Sequence, residues 1–266
     1  MTKLLGVCVA CIIFTFTAPA VAAPCGGDFR AWLSAFSREA AAQGISRRAL
    51  AALDSVTSPD PQVVSLDHRQ GVFHQSFERF AGHRIAERLA KGRRMMQSHA
   101  ALLRRIEARF GVPGSIVVAI WGLETDFGVD IGHTPTIRAL ATLAHDCRRS
   151  EMFQGELLAA LRIISRGDLP PSEMRGAWAG ELGQAQFLPT NYIKFAVDFD
   201  GNGRRDLIRS VPDTLASIAN LLHSFGWQRG GGYREGSANF SVLAAWNKST
   251  VYQQTIAAFA ERLDGR

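Results

Sequence analysis

An uninterrupted apolar run, Ile116-Val117-Val118-Ala119-Ile120-Trp121-Gly122-Leu123, ends in Glu124 and carries no other charge. A helix that is apolar on every face has to be wrapped on all sides by the rest of the chain, so this run marks the centre of the fold. Thr125-Asp126-Phe127-Gly128 follows as a turn. A carboxylate at the end of a buried helix loses water and meets the negative end of the helix dipole. Both effects disfavour its ionised form and move its pKa toward the working range of a general acid. On this segment alone, a buried charge neutralised by an arginine is the competing reading.

The chain has 266 residues, 47% hydrophobic and 20% charged, enough for one large core or a main domain with a small satellite. Its start belongs to no core. Lys3, the apolar run Leu4 to Phe16 and the small residues Ala18 to Ala23 form a secretory signal peptide over residues 1–22, with cleavage after Ala22 or Ala23. The run is short for a membrane span, and Pro24 before Cys25 spoils a lipid-attachment pattern, so an exported, periplasmic protein without a stable membrane anchor is expected. Cys8 and Cys11 leave with the leader. The remaining Cys25 and Cys147 pair most simply as a disulfide in an oxidising compartment, two free thiols being the alternative. Without Lys3 the charge is 29 − 24 = +5, which suits an anionic polymer. Nucleic acid is excluded as a partner by export and the lack of a basic-aromatic motif.

Helical patterns dominate. Asp28 caps a helix with Phe29, Trp32, Leu33 and Phe36 on one face, ended by Gly44, and Ser46 caps a shorter one through Leu53. Thr57 to Pro61 reads as a loop. Helices are expected at about 74–91 (with Phe73 and Phe77 in its stripe), 93–110, 135–146, 150–165, 212–225 and 249–263, and one short alternating run near 238–243 is the only strand candidate. The fold class is mainly α, with few or no strands. One domain is expected over 23–266, its N-terminal helices (about 28–110) packed on a core from about 111 to 266.

Three further segments carry chemistry. Trp178 to Pro189 mixes small residues, Gln184 and Gln186, and aromatics, the composition of a wall for a polar ring-shaped ligand or of a buried structural turn. Asp198, Asp200 and Asn202 stand at the first, third and fifth positions of an EF-hand-like loop, with Asp206 at the ninth. The twelfth is Arg209 rather than a bidentate Glu, with Asp213 as a substitute, so structural calcium and a plain Asx-rich turn both fit. Trp246, Asn247 and Tyr252 flank a helix start that Ser249 or Thr250 caps.

Together these segments resemble the lytic murein transglycosylase B family. Ala119 to Gly128 is similar to its catalytic motif, and Gly180 to Pro189 to its Gly-x-x-Gly-Gln-x-Gln-Phe-x-Pro segment. The Asp198 loop, Asn220 to Trp227 and Trp246 to Tyr252 follow in the family's order. The resemblance implies a lysozyme-like helical core with a groove for peptidoglycan glycan strands. Glu124 would be the single acid/base, with Gly183, Gln186, Phe187, Trp246, Asn247 and Tyr252 along the groove, no cofactor required for the chemistry, and a monomer. It further implies cleavage of the β-1,4 bond between N-acetylmuramic acid and N-acetylglucosamine, leaving 1,6-anhydromuramic ends. Ala177 stands where many members carry a hydroxyl, and the chain between Trp227 and Trp246 is shortened. Two rivals stay open: a lysozyme-type hydrolase using Asp126 as second carboxylate, and a non-catalytic glycan-binding envelope protein.

Overall fold

The computed structural model describes residues 24–69 and 76–265; the leader and Phe73 lie outside the described residues. Eleven α-helices form among them: α1 Phe29–Ala42, α2 Arg47–Leu50, α3 Pro61–His68, α4 Phe77–Ser98, α5 Ala100–Phe110, α6 Gly114–Thr125, α7 Thr136–His145, α8 Ser150–Arg166, α9 Pro189–Phe195, α10 Val211–Ser224 and α11 Thr250–Leu263. The mainly helical, lysozyme-like class read from the sequence is the observed one.

The apolar run becomes α6, whose residues from Gly114 to Leu123 are all buried, and α4, α5, α10 and α11 pack around it. Transfer of its side chains from water, about 1.5–3 kcal/mol for each large one, makes α6 the axis of the core. A second layer is α7 on α8, with α9 against α8. Asp28 and Ser46 cap α1 and α2 as expected, and α2 continues as a 3-10 turn, Ala51–Ser55.

Four expectations are corrected. The Thr57–Pro61 loop runs directly into α3, because the Asp60 carboxylate accepts from Gln62 N and Val63 N while Pro61 takes the first helical position. The long helices divide at His99 rather than near residue 92. Gly92 lies inside α4, where the lack of a side chain lets α11 approach: a Cβ there would stand 2.8 Å from Leu263. Pro189 begins a helix, α9, that was not expected. The alternating run near 238–243 forms a turn and a 3-10 segment, Ser241–Ala245. Among the described residues the only sheet is β1 Thr134–Pro135 antiparallel to β2 Arg175–Gly176, with Thr134 opposite Gly176.

Cys25 and Cys147 form a disulfide across 122 residues of sequence. Beside it Gly26 N donates to His145 O at 2.9 Å, and the His145 ring packs edge-on against Phe29 and Trp32. The chain entering α1 is thereby tied to the end of α7, a cross-link of the kind that stabilises by about 2–5 kcal/mol.

Candidate active site

Glu124 lies at the last turn of α6, and the neighbouring residues fix that turn. Trp121 Nε1 donates to Gln184 Oε1 at 3.0 Å, and Thr125 Oγ1 donates to Gln184 O at 2.8 Å while accepting from Gly128 N at 3.0 Å. Asp126 and Phe127 then adopt left-handed backbone, φ 49° and 60°, which costs roughly 1–2 kcal/mol for each such residue. Tertiary contacts hold both. Lys91 Nζ donates to Asp126 O at 2.8 Å and Oδ2 at 2.9 Å, and the buried Phe127 ring meets Trp121 edge-on at 5.5 Å. Asp126, the candidate second carboxylate, is thus an ion-paired helix stop, and Asp130 is exposed on the surface.

The Glu124 carboxyl receives two hydrogen bonds on one oxygen. Trp246 Nε1 and Tyr252 OH each donate to Oε1 at 2.7 Å. Burial pushes the carboxyl above its ordinary pKa; the two hydrogen bonds pull the other way, and the nearby Glu181 adds to the rise. The Tyr252 phenol is itself raised well above its ordinary value, by burial and then by Glu124, so it remains a donor. No described residue donates to Oε2 of Glu124.

Beyond Glu124 the pocket is walled by Glu181, Gln186, Phe187, Trp246 and Asn247, with Ala177 offering no hydroxyl. Gly176, Leu182 and Phe187 are linked by antiparallel bridges that fold this wall onto β2. Gly183 has φ +68°, and a Cβ there would stand 2.3 Å from Leu207 O, so it serves a close backbone approach and is not among the pocket-lining residues. Gln186, φ 48°, donates from Nε2 to Ile131 O and Gly183 O at 3.0 and 2.8 Å. Phe187 is buried with its ring 5.6 Å from Trp246. Asn247 Oδ1 accepts from Ser249 N at 2.9 Å, an Asx turn that leads into α11, and Ser249 holds the N-cap position without a side-chain hydrogen bond to the helix. A separate cleft lined by Val56, Ile137, Arg138 and Met174 holds no carboxylate.

Two residues of this wall take roles that the sequence reading did not assign to them individually. Gln184 joins α6 to the wall through Trp121 and to Ile208 O by its Nε2, at 2.9 Å. Glu181 is a second acid in the pocket, and its signal was available: it is the only charged residue between Arg175 and Lys194. Burial raises its pKa too.

In the Asp198 loop, carboxylate oxygens of Asp198, Asp200 and Asp213 lie within 4.8 Å of one another. The loop is shaped by backbone donors: Gly201 N and Asn202 N to Asp198 Oδ1, Gly203 N to Oδ2, and Phe199 N and Asp206 N to the buried Asp213. Asn202 Oδ1 accepts from Arg204 N at 3.0 Å. Asp206 does not join the three acids. It takes Arg209 Nε at 3.0 Å, and Arg209 also grips Glu173. A guanidinium therefore holds the ninth and twelfth positions of the EF-hand pattern together, and three carboxylates remain for a cation.

The chain is similar in sequence and fold to known proteins. Membrane-bound lytic murein transglycosylase B of Escherichia coli K12 is 40% identical over 122 residues, 46% of this chain and 34% of that protein, so the match spans about a third of the relative's length. SltB3 of Pseudomonas aeruginosa, solved in complex with NAG-NAM-pentapeptide, is 32% identical with a TM-score of 0.84, over 91% of this chain and 81% of that one. Slt35 of Escherichia coli, solved in complex with calcium, shares the fold at 24% identity and a TM-score of 0.79, over 91% and 96%. The Transglycosylase SLT domain matches residues 28–236, and the chain belongs to that family.

Proposed function

We propose that this protein is an exported, periplasmic lytic transglycosylase that cleaves peptidoglycan glycan strands between N-acetylmuramic acid and N-acetylglucosamine and leaves 1,6-anhydromuramic ends. The observation that carries the reading is the Glu124 carboxyl, half-buried at the wall of a polar pocket, its pKa raised by loss of water and one oxygen held by Trp246 and Tyr252. Protonated Glu124 donates to the glycosidic oxygen as the bond breaks. Its carboxylate, now steadied by two donors, takes the proton from the muramic 6-hydroxyl as that oxygen closes on the anomeric carbon. No water enters the balance, and the apolar wall of Phe187 and Trp246 helps keep it out.

Most glycoside hydrolases pair one carboxylic acid with one carboxylate, in environments that push the two pKa values apart. Here both pocket acids, Glu124 and Glu181, are shifted in the same direction by burial, and Asp126 is engaged by Lys91. That pairing favours the one-acid mechanism. Mass spectrometry of muropeptides released from purified sacculi tests it: products one water lighter than hydrolytic ones are expected, and full-mass reducing sugars would overturn it.

For the Asp198 loop we propose a calcium brace without a chemical role, held by Asp198, Asp200 and Asp213 and weakened by Arg209 in the place of a bidentate acid. Millimolar Ca2+ added to chelator-treated protein should raise the melting temperature by a few degrees, by linkage, and Asp200→Asn should abolish the rise. An unchanged melting curve rejects the brace.

A further inference from the structure

Glu181 is used by nothing in the mechanism above, yet it occupies the pocket with Glu124. It follows Gly180 in the wall segment, and its backbone is fixed there because Glu181 O packs against the Cα of Gly176, where a Cβ would fall 1.7 Å away. Oε2 of its carboxyl is sealed from solvent without a hydrogen-bond partner. The residue is only half-buried and lines the pocket, so the oxygen at the pocket wall is Oε1. An ionised carboxylate with one oxygen sealed and unpaired bears a large desolvation cost, which the neutral acid avoids.

The surroundings support the neutral form. Burial is the main influence on Glu181 and raises its pKa. The backbone amides of Glu181 and Ala179 and the charge of Arg149 oppose the rise without cancelling it, and Glu156 adds to it. Glu124 faces it from α6 and is itself raised by it. Two acids sharing a desolvated pocket each resist the ionisation of the other.

We infer that Glu181 is a substrate-contacting residue whose Oε1 carries a proton and donates it, in a hydrogen bond, to the carbonyl oxygen of an N-acetyl group of the bound glycan. The chemistry selects that partner. A neutral acid at the wall offers an O–H, an acetamido carbonyl is the strongest neutral acceptor on an amino-sugar strand, and Ala177 on the same wall offers no donor. A charged Glu181 would instead offer only acceptors to that carbonyl. The substrate class rests on the function proposed above; the presence of a donor at Glu181 does not.

Two variants and two readouts test this. Chitotetraose, which carries N-acetyl groups and no lactyl group, is titrated calorimetrically into Glu124→Gln, Glu124→Gln/Glu181→Ala and Glu124→Gln/Glu181→Gln. In the background with Glu124 intact, kcat/KM on purified glycan strands is followed against pH. Glu181→Ala is expected to weaken both binding and kcat/KM about tenfold, one hydrogen bond by the usual conversion. Glu181→Gln, which keeps a neutral N–H donor, should return both to within about threefold of the parent. Unchanged binding and kcat/KM in Glu181→Ala would overturn the inference. So would equal losses in Ala and Gln with matching shifts of the pH profile, which would make Glu181 only an electrostatic neighbour of Glu124. Melting temperatures exclude misfolding as the cause. If the wild-type protein releases no anhydro product while the chitotetraose pattern holds, the proposed reaction fails and the donor at Glu181 stands.

Discussion

Glu124→Gln is expected to lower kcat on peptidoglycan by about 10^3-fold or more, the scale of a lost general acid whose conjugate base is also needed. The same substitution should make the protein more stable at neutral pH. The folded carboxyl has a pKa raised above its ordinary 4.5, mainly by burial. Its contribution to stability is therefore complete below that unfolded value and is lost as pH rises through the folded one. Gln has no proton to lose, and its side-chain oxygen still accepts from Trp246 and Tyr252. The melting temperature of the variant should exceed that of wild type at pH 7, and the difference should vanish toward pH 4. Muropeptide release and thermal melts at both pH values provide the check. Activity within tenfold of wild type would remove Glu124 from its role, and a variant less stable at pH 7 would mean that its carboxyl is not held neutral.

The parts of this site that were legible in the sequence are those written in one segment. The apolar run declared α6 and its terminal acid, because only a completely enclosed helix tolerates Ile116 to Leu123 without a polar face. Asp28 and Ser46 declared two helix starts by their capping chemistry. Trp246 and Tyr252 stood out as aromatics of a groove, but their bonds to one oxygen of Glu124 close sequence separations of 122 and 128 residues, and no local pattern encodes that convergence. Gly92 read as a break and proved to be a point of close helix packing, a distinction that depends on Leu263 and Phe259 from the far end of the chain. Asp206 read as a ligand because position alone suggested it; the contact with Arg209 that occupies it is only three residues away, and the charge of that arginine was the clue. Helix α9 was hidden because Pro189 marks a helix start as readily as a stop.

The two donors on Oε1 make a prediction opposite to the usual expectation for damage near an acid. Trp246→Phe and Tyr252→Phe each remove a hydrogen bond that favours the Glu124 carboxylate. In the transition state, as the proton leaves Glu124, that bond is charge-assisted and is worth about 1.5–3 kcal/mol, or roughly 10- to 150-fold in kcat. In the free enzyme the same loss leaves burial less opposed, so the Glu124 pKa rises further. The alkaline limb of kcat/KM, where the acid form of Glu124 is titrated away, should therefore move to higher pH while the maximal rate falls. Each variant would be a poorer catalyst that tolerates alkali better. Because both bonds end on one oxygen, the double variant should lose less in kcat than the product of the single losses. Tyr252→Phe separates the effect from packing, since the ring and its contact with Phe80 at 6.0 Å are retained and only the hydroxyl is lost. A limb that moves to lower pH in Tyr252→Phe would show that the phenol does not donate to Glu124 in the working enzyme. A full rate with an unmoved limb would show that Trp246 alone orients the acid.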